Sequence, residues 1–227
     1  MVTFWQSRIF AGIKTIALLS FKPSRKFINI AQIRFFMVGN IPNFTKIDIL
    51  RCFLRFNKNI GRQELAKGLE LGEGTVRTVL EILKSNNLLD STKKGHFLSR
   101  KGSEALNGIY RIISAPKDLV IKNIYPDFKK IGILIRNVSN LKGIYKLRDI
   151  AVKNGADGAI ILKFDGKLYA PESDYEQDYN GIEKYFDFKN DDLLVVAFSN
   201  EKRKAENGAL AIAVELNNFL KKFISEI

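Results

Sequence analysis

Apolar positions recur at three- and four-residue intervals through the first part of this chain and then switch to short continuous runs. Ile47, Ile49, Leu50, Phe53, Leu54 and Phe56 form one broad helical face behind the capping side chains of Asn43 and Thr45. Residues 57–61 break that helix. Residues 62–69 predict a short second helix with Leu65, Ala66 and Leu69 inward. A turn over residues 70–74, whose glycines permit a sharp reversal, leads to a third helix that opens at Thr75 and buries Val76, Val79, Leu80 and Leu83.

Three such helices alone fit many small bundles, and the next segment narrows the choice. Leu88-Leu89-Asp90-Ser91, Thr92-Lys93-Lys94-Gly95 and His96-Phe97-Leu98-Ser99 read as a strand, a basic turn and a second strand. Leu106, Ile109, Tyr110 and Ile113 then lie on one face of a fourth helix. Three helices, a hairpin and a closing helix predict a winged helix-turn-helix over residues 41–115.

Pro116 disfavours helix at the residue before it and marks a boundary. Beyond it, residues 131–138, 159–164 and 193–198 read as buried strands, and Asp165-Gly166 as a hairpin turn into residues 167–170. Residues 142–154 predict a helix with Ile144, Leu147, Ile150, Ala151 and Val152 inward, and residues 201–224 a long closing helix. The expected fold class is α+β: a winged helix-turn-helix followed by a small α/β sandwich-type domain over residues 116–227.

Residues 1–40 differ from the rest. They carry six basic residues and no acid, and their apolar run from Ile9 to Leu19 is broken by Lys14. A membrane span needs about 20 apolar residues, so no membrane is expected as a partner. The segment reads as a basic N-terminal arm or as the product of a start assigned too early, with Met37 the true beginning.

Charge changes what the pattern can mean. The formal net charge is +13, and residues 1–115 hold 19 basic and 7 acidic side chains, so nearly the whole excess precedes the boundary. That asymmetry points to a polyanion-binding module joined to an electrically neutral one. The lone Cys52 excludes an intrachain disulfide and the lone His96 cannot lead a metal cluster, so neither cofactor nor metal is expected and the cytoplasm is the expected location. Cys52 sits in an apolar helical pattern that predicts a buried, inert thiol.

In a winged helix the third helix enters the major groove while the second helix and the wing approach phosphates. Thr75, Arg77 and Thr78 are therefore the expected groove contacts, with Arg77 able to read guanine bidentately, and Arg62, Lys93 and Lys94 the expected phosphate contacts. His96 reads either as a DNA contact or as a half-exposed strand residue without a ligand, and Lys84 as a solvated helix residue.

Gly61-Arg62-Gln63-Glu64-Leu65-Ala66, Leu71-Gly72-Glu73-Gly74-Thr75-Val76-Arg77-Thr78 and Leu98-Ser99-Arg100-Lys101-Gly102 resemble the winged helix of a family of predicted archaeal transcriptional regulators, with Ser99 in place of the usual threonine. Arg148-Asp149-Ile150-Ala151, Gly155-Ala156-Asp157-Gly158 and Asp165-Gly166-Lys167-Leu168 with Pro171 resemble that family's C-terminal domain, so the likeness spans residues 43–215. The resemblance implies a transcriptional regulator and brings no established activity for the C-terminal domain.

Adjacent helix residues cannot share a face, so Arg148 and Asp149 do not pair with each other. Gly155 is expected at a left-handed cap and Gly158 at a close approach; the turn is either structural or, with Arg148 and Pro171, part of a small-molecule pocket. Residues 174–179 read as an exposed loop or a lid. With no P-loop, no GxSxG elbow and no histidine after residue 115, catalysis is not expected.

The expected function is sequence-specific binding of double-stranded DNA by a transcription regulator. Its C-terminal domain is expected to form a homodimer, to sense an unidentified small-molecule effector, or both; the residues Leu210, Ile212, Val214, Leu216 and Leu220 either form the interface or cover the sheet. The alternative is a nucleic-acid-associated enzyme or adaptor in which the winged helix serves recruitment.

Overall fold

The computed structural model describes residues 43–227 apart from 122, 139, 140, 172 and 174–177, so the N-terminal arm and most of the 174–179 loop lie outside the described residues. Its first helix, α1 (Lys46–Phe53), starts on a capping box: Thr45 and Asp48 exchange side-chain and backbone hydrogen bonds. Every residue from Ile47 to Phe53 is buried, polar ones included. A helix buried all round has neighbours on every side, and its charges must find partners there.

α2 (Arg62–Leu69) keeps the predicted bounds. The reversal after it does not use a glycine as expected. Glu70 takes the left-handed conformation at φ 53°, while Gly72 is the extended N-cap of α3 (Glu73–Ser85), which begins two residues before Thr75. α3 buries Val76, Val79, Leu80 and Leu83, the stripe its spacing predicts. β1 (Leu89–Thr92) and β2 (Gly95–Leu98) form an antiparallel hairpin turned by Lys93 and Lys94, and Ile60 bridges to His96 as a third, one-residue rung. α4 (Arg100–Ile112) is capped by Ser99, which accepts from Gly102 N and donates to Asn87 O. Gly102 has no substitute here, because a Cβ would lie 2.0 Å from the Leu88 carbonyl oxygen.

The chain leaves α4 directly onto a sheet: Ile113 bridges Ile135, and β3 (Lys117–Asp118) pairs with β4 (Lys129–Ile135). α5 (Ile144–Lys153), β5 (Gly158–Asp165), β6 (Lys167–Tyr169), the single turn α6 (Asn180–Glu183), β7 (Leu193–Ser199), α7 (Lys202–Leu216) and α8 (Asn218–Glu226) come next in chain order. The sheet order is β3-β4-β7-β5-β6, and every pairing is antiparallel. β7, the last strand in sequence, is central and wholly buried. Side chains alternate across it: Leu193, Val195 and Ala197 join Ile133, Ile135 and Ile161 in a core under the helices, while Leu194 and Val196 join Leu134, Leu162, Leu119, Tyr179 and Ile182 on the other face. Tyr179 is thus buried rather than part of an exposed loop.

Two helices depart from their sequence patterns. Val152 is 52% exposed, turned out from α5 although Leu147 and Ala151 are buried. The closing helix is broken at Asn217, whose backbone is extended and whose side chain accepts from Phe219 N and Leu220 N to cap α8. The break lets α8 fold back onto α1, where Phe223 meets Phe53 at 5.3 Å between ring centroids. Leu210, Ile212 and Leu220 are buried within the chain and cover its core.

One apolar cluster therefore runs from α1 to α7, and a buried ionic network crosses it. Asp48 accepts from Thr45 N at 2.9 Å, Arg51 Nη1 at 3.1 Å, Arg203 Nε and Nη2 at 3.0 Å each, and Asn207 Nδ2 at 3.2 Å. Glu206 accepts from Arg51 Nη2 at 3.0 Å and from Arg55 Nη2 at 2.8 Å. Burial alone would raise the Asp48 pKa; the bonds from Arg203, Thr45 and Asn207 outweigh it and bring the carboxyl down to about 2.

The network makes two outcomes measurable. Glu206→Ala, which takes one of two carboxylates from the buried Arg51 and the partner from Arg55, is expected to cost roughly 3 to 5 kcal/mol in urea unfolding; a loss below about 1 kcal/mol would show that the network does not hold the fold. Because Asp48 has a lower pKa folded than unfolded, its contribution of about 2 kcal/mol is complete above pH 4 and disappears as pH falls towards 2. Asp48→Asn should flatten that limb of the acid unfolding curve.

Candidate nucleic-acid interface

α3 carries an exposed stripe of Gly74, Arg77, Glu81 and Ser85 opposite its buried face, with Thr75 and Thr78 half-buried along its flank. The Thr78 hydroxyl donates to Gly74 O at 3.2 Å, which leaves its oxygen available as an acceptor. Arg77 makes no hydrogen bond or ion pair among the described residues. Arg62, the first residue of α2, pairs only loosely with Glu73 at 3.4 Å, both side chains about half exposed. Neither α2 nor α3 has a side-chain N-cap, since Gly61 and Gly72 occupy those positions.

Arg62, Arg77, Leu80, Glu81 and His96 line one open cleft of about 370 Å³ between α2, α3 and β2. His96 is placed there by the reciprocal backbone bonds between Ile60 and His96, each 3.0 Å. Its Nδ1 is buried without a hydrogen-bond partner among the described residues. Burial, with Lys84 and Arg62 nearby, holds its pKa below the usual histidine value against the pull of Glu81, so the ring is neutral at pH 7. Lys93 and Lys94 are exposed at the hairpin tip, and Thr92 Oγ1 accepts from Lys94 N at 3.2 Å to shape the turn.

Sequence alone does not assign Glu81 and His96 to a common site. A signal for Glu81 is present: residues 77 and 81 are one helical turn apart on the same face. A second open cleft of about 540 Å³, lined by Lys84, Ser91, Ser99, Arg100 and Lys101 among others, lies between the end of α3, the hairpin and the start of α4. Lys84 is thus part of a concave basic surface.

Arg148 is exposed on α5, Gly155 lies just beyond that helix at φ 99° beside the Lys204 side chain, and Pro171 lies beyond β6. No hydrogen bond or ion pair joins the three among the described residues. The close approach expected at Gly158 is real and internal: a Cβ there would lie 2.5 Å from the Phe198 ring. Cys52 is fully buried, and burial pushes its thiol up to about 12 despite Arg51 and Arg55. No helix among the described residues is long and apolar enough to cross a membrane.

Comparison with known proteins matches two separate segments of the chain. Residues 46–104 match the family model described as PH0730-like, N-terminal domain, and residues 127–216 match the domain of unknown function DUF4443. Among solved structures, "Hypothetical protein PH0730 from Pyrococcus horikoshii OT3" is similar at 28% identity and a TM-score of 0.66, over 79% of this chain and 98% of that one. No curated protein matches the sequence significantly. The descriptions of these matches carry no activity.

The hairpin's attachment is open to a direct check. Gly95 has φ 124°, and a Cβ would lie 2.8 Å from Ile60 O. Gly95→Ala should cost roughly 1 to 3 kcal/mol and strip hydrogen-exchange protection from the His96 amide, which donates to Ile60 O. Unchanged protection would mean that the bridge does not depend on this glycine.

Proposed function

We propose that this chain is a sequence-specific, double-stranded DNA-binding transcription regulator whose residues 43–113 act as a winged helix-turn-helix. Support comes from geometry and charge together. The Ile60 rung beside β1 and β2 supplies the small sheet from which a wing projects, α3 presents an uninterrupted outer face, and the shared cleft draws Arg62 and Arg77 to one side of it. That cleft is the observation that carries the reading, because the two guanidiniums come from different helices and neither is consumed by a close ion pair.

In this reading α3 enters the major groove. Arg77 addresses a base edge with Thr75 and Thr78 alongside, and Arg62, Lys93 and Lys94 neutralise phosphates on either side. A two-fold operator calls for a homodimer in the cytoplasm, with the sheet domain as its dimerising or effector-sensing part.

Selection of bound fragments from genomic DNA tests the assignment and yields the operator and its symmetry. Arg77→Ala is expected to cost roughly 1 to 3 kcal/mol on the selected site and to relax one position. Lys93→Ala should weaken all duplexes alike and reduce the salt slope by about 1. Duplex binding by the Arg77→Ala/Lys93→Ala double variant equal to wild type would remove the DNA assignment.

A further inference from the structure

The exposed stripe of α3 contains an acid at its middle. Glu81 lies one turn after Arg77, lines the same cleft, and has a side chain 65% exposed whose nearest cation is Lys84 Nζ at 3.8 Å, outside hydrogen-bond range. Arg77 and Glu81 have the i, i+4 spacing at which opposite charges pair on a helix, yet no ion pair joins them among the described residues. Neither makes a hydrogen bond among the described residues, and Glu81 has only its loose ion pair with Lys84.

A carboxylate held only by a loose ion pair, on a face that meets a polyanion, is repelled by the phosphates unless it accepts a hydrogen bond there. A carboxylate only accepts hydrogen bonds, so it needs a donor on a base edge. The major groove offers two, the amino groups of cytosine and adenine. Adenine sets its N7 acceptor beside the amino group, where it repels a carboxylate; cytosine does not. Four helical residues rise about 6 Å, and bases step about 3.4 Å, so Arg77 and Glu81 address positions about two base pairs apart.

Resting on the DNA-binding reading above, we infer that Glu81 is a specificity-determining residue that accepts a hydrogen bond from a cytosine amino group, about two base pairs from the base that faces Arg77. Donor and acceptor side chains on one stripe then read a guanine and a cytosine by complementary chemistry.

The experiment is selection from a randomised duplex library with the full chain as wild type, Glu81→Gln and Glu81→Ala. Wild type should fix a cytosine about two base pairs from a guanine, and replacing that cytosine should weaken binding roughly 5- to 150-fold. Glu81→Gln should move the preference to adenine, whose amino group and N7 a carboxamide bonds together. Glu81→Ala should level that position and leave the guanine. If both variants enrich the wild-type sites and bind every duplex more tightly, Glu81 is a bystander acid and the inference falls while DNA binding stands. If wild type enriches no duplex, the DNA-binding reading falls and this inference with it.

Discussion

Two carboxylates, Asp48 and Glu206, lie out of water against three guanidiniums, and the joining of the helical part to the sheet depends on them. Desolvating such charges costs several kcal/mol per ion unless each is hydrogen-bonded on most sides. Asp48 meets that condition with bonds from α1, from its own cap and from α7. Apolar contact between α1 and α7 would tolerate many relative positions, since burial has no direction. A planar guanidinium facing a carboxylate tolerates few. The network therefore fixes how the two helices sit, and with α1 the whole helical part is fixed.

Its reach extends to the turn before α3. Arg51 donates from Nη1 and Nη2 to the Leu69 carbonyl at 3.3 and 3.2 Å, closing the last turn of α2, and Arg203 N donates to Glu70 Oε2 at 3.1 Å. A left-handed non-glycine residue costs about 1 to 2 kcal/mol. Here a side chain serves the turn that a glycine has none to serve: the Glu70 carboxylate reaches the start of α7. The reversal into α3 is thereby set by a helix 133 residues further along the chain.

That long reach explains which features are legible in the sequence and which are hidden. The bounds of α2, the buried stripe of α3, the hairpin and four of the sheet strands rest on local spacing and turn chemistry, and they are legible. Glu70 is not, because its partner is remote. Nor is the break at Asn217, where a capping side chain interrupts an otherwise continuous pattern, or the place of β7 at the centre of the sheet. The polar stripes Asp48, Arg51, Arg55 and Arg203, Glu206, Asn207 have helical spacing and lie within buried helices; only their mutual docking shows that they are core. For the interface, Arg62 and Arg77 are legible from type and position, whereas the company of Glu81 and His96 depends on the Ile60 rung.

The same docking changes the meaning of the charge. Residues 43–115 carry an excess of six basic side chains, but Arg51 and Arg55 face inward to Glu206 and Asp48 and contribute little field outside. The surface around α3 is left with a few separated cations and an acid among them. Such a surface attracts a polyanion only moderately through net charge. In the proposed reading, selectivity has to come from where the groups point, and that is set by Arg203 and Arg51 at the turn before α3 and by the Ile60 bridge that carries His96 to the side of α3. Hydrogen-bonded supports before and beside the helix suit, in that reading, a surface that selects by position better than one that holds by charge.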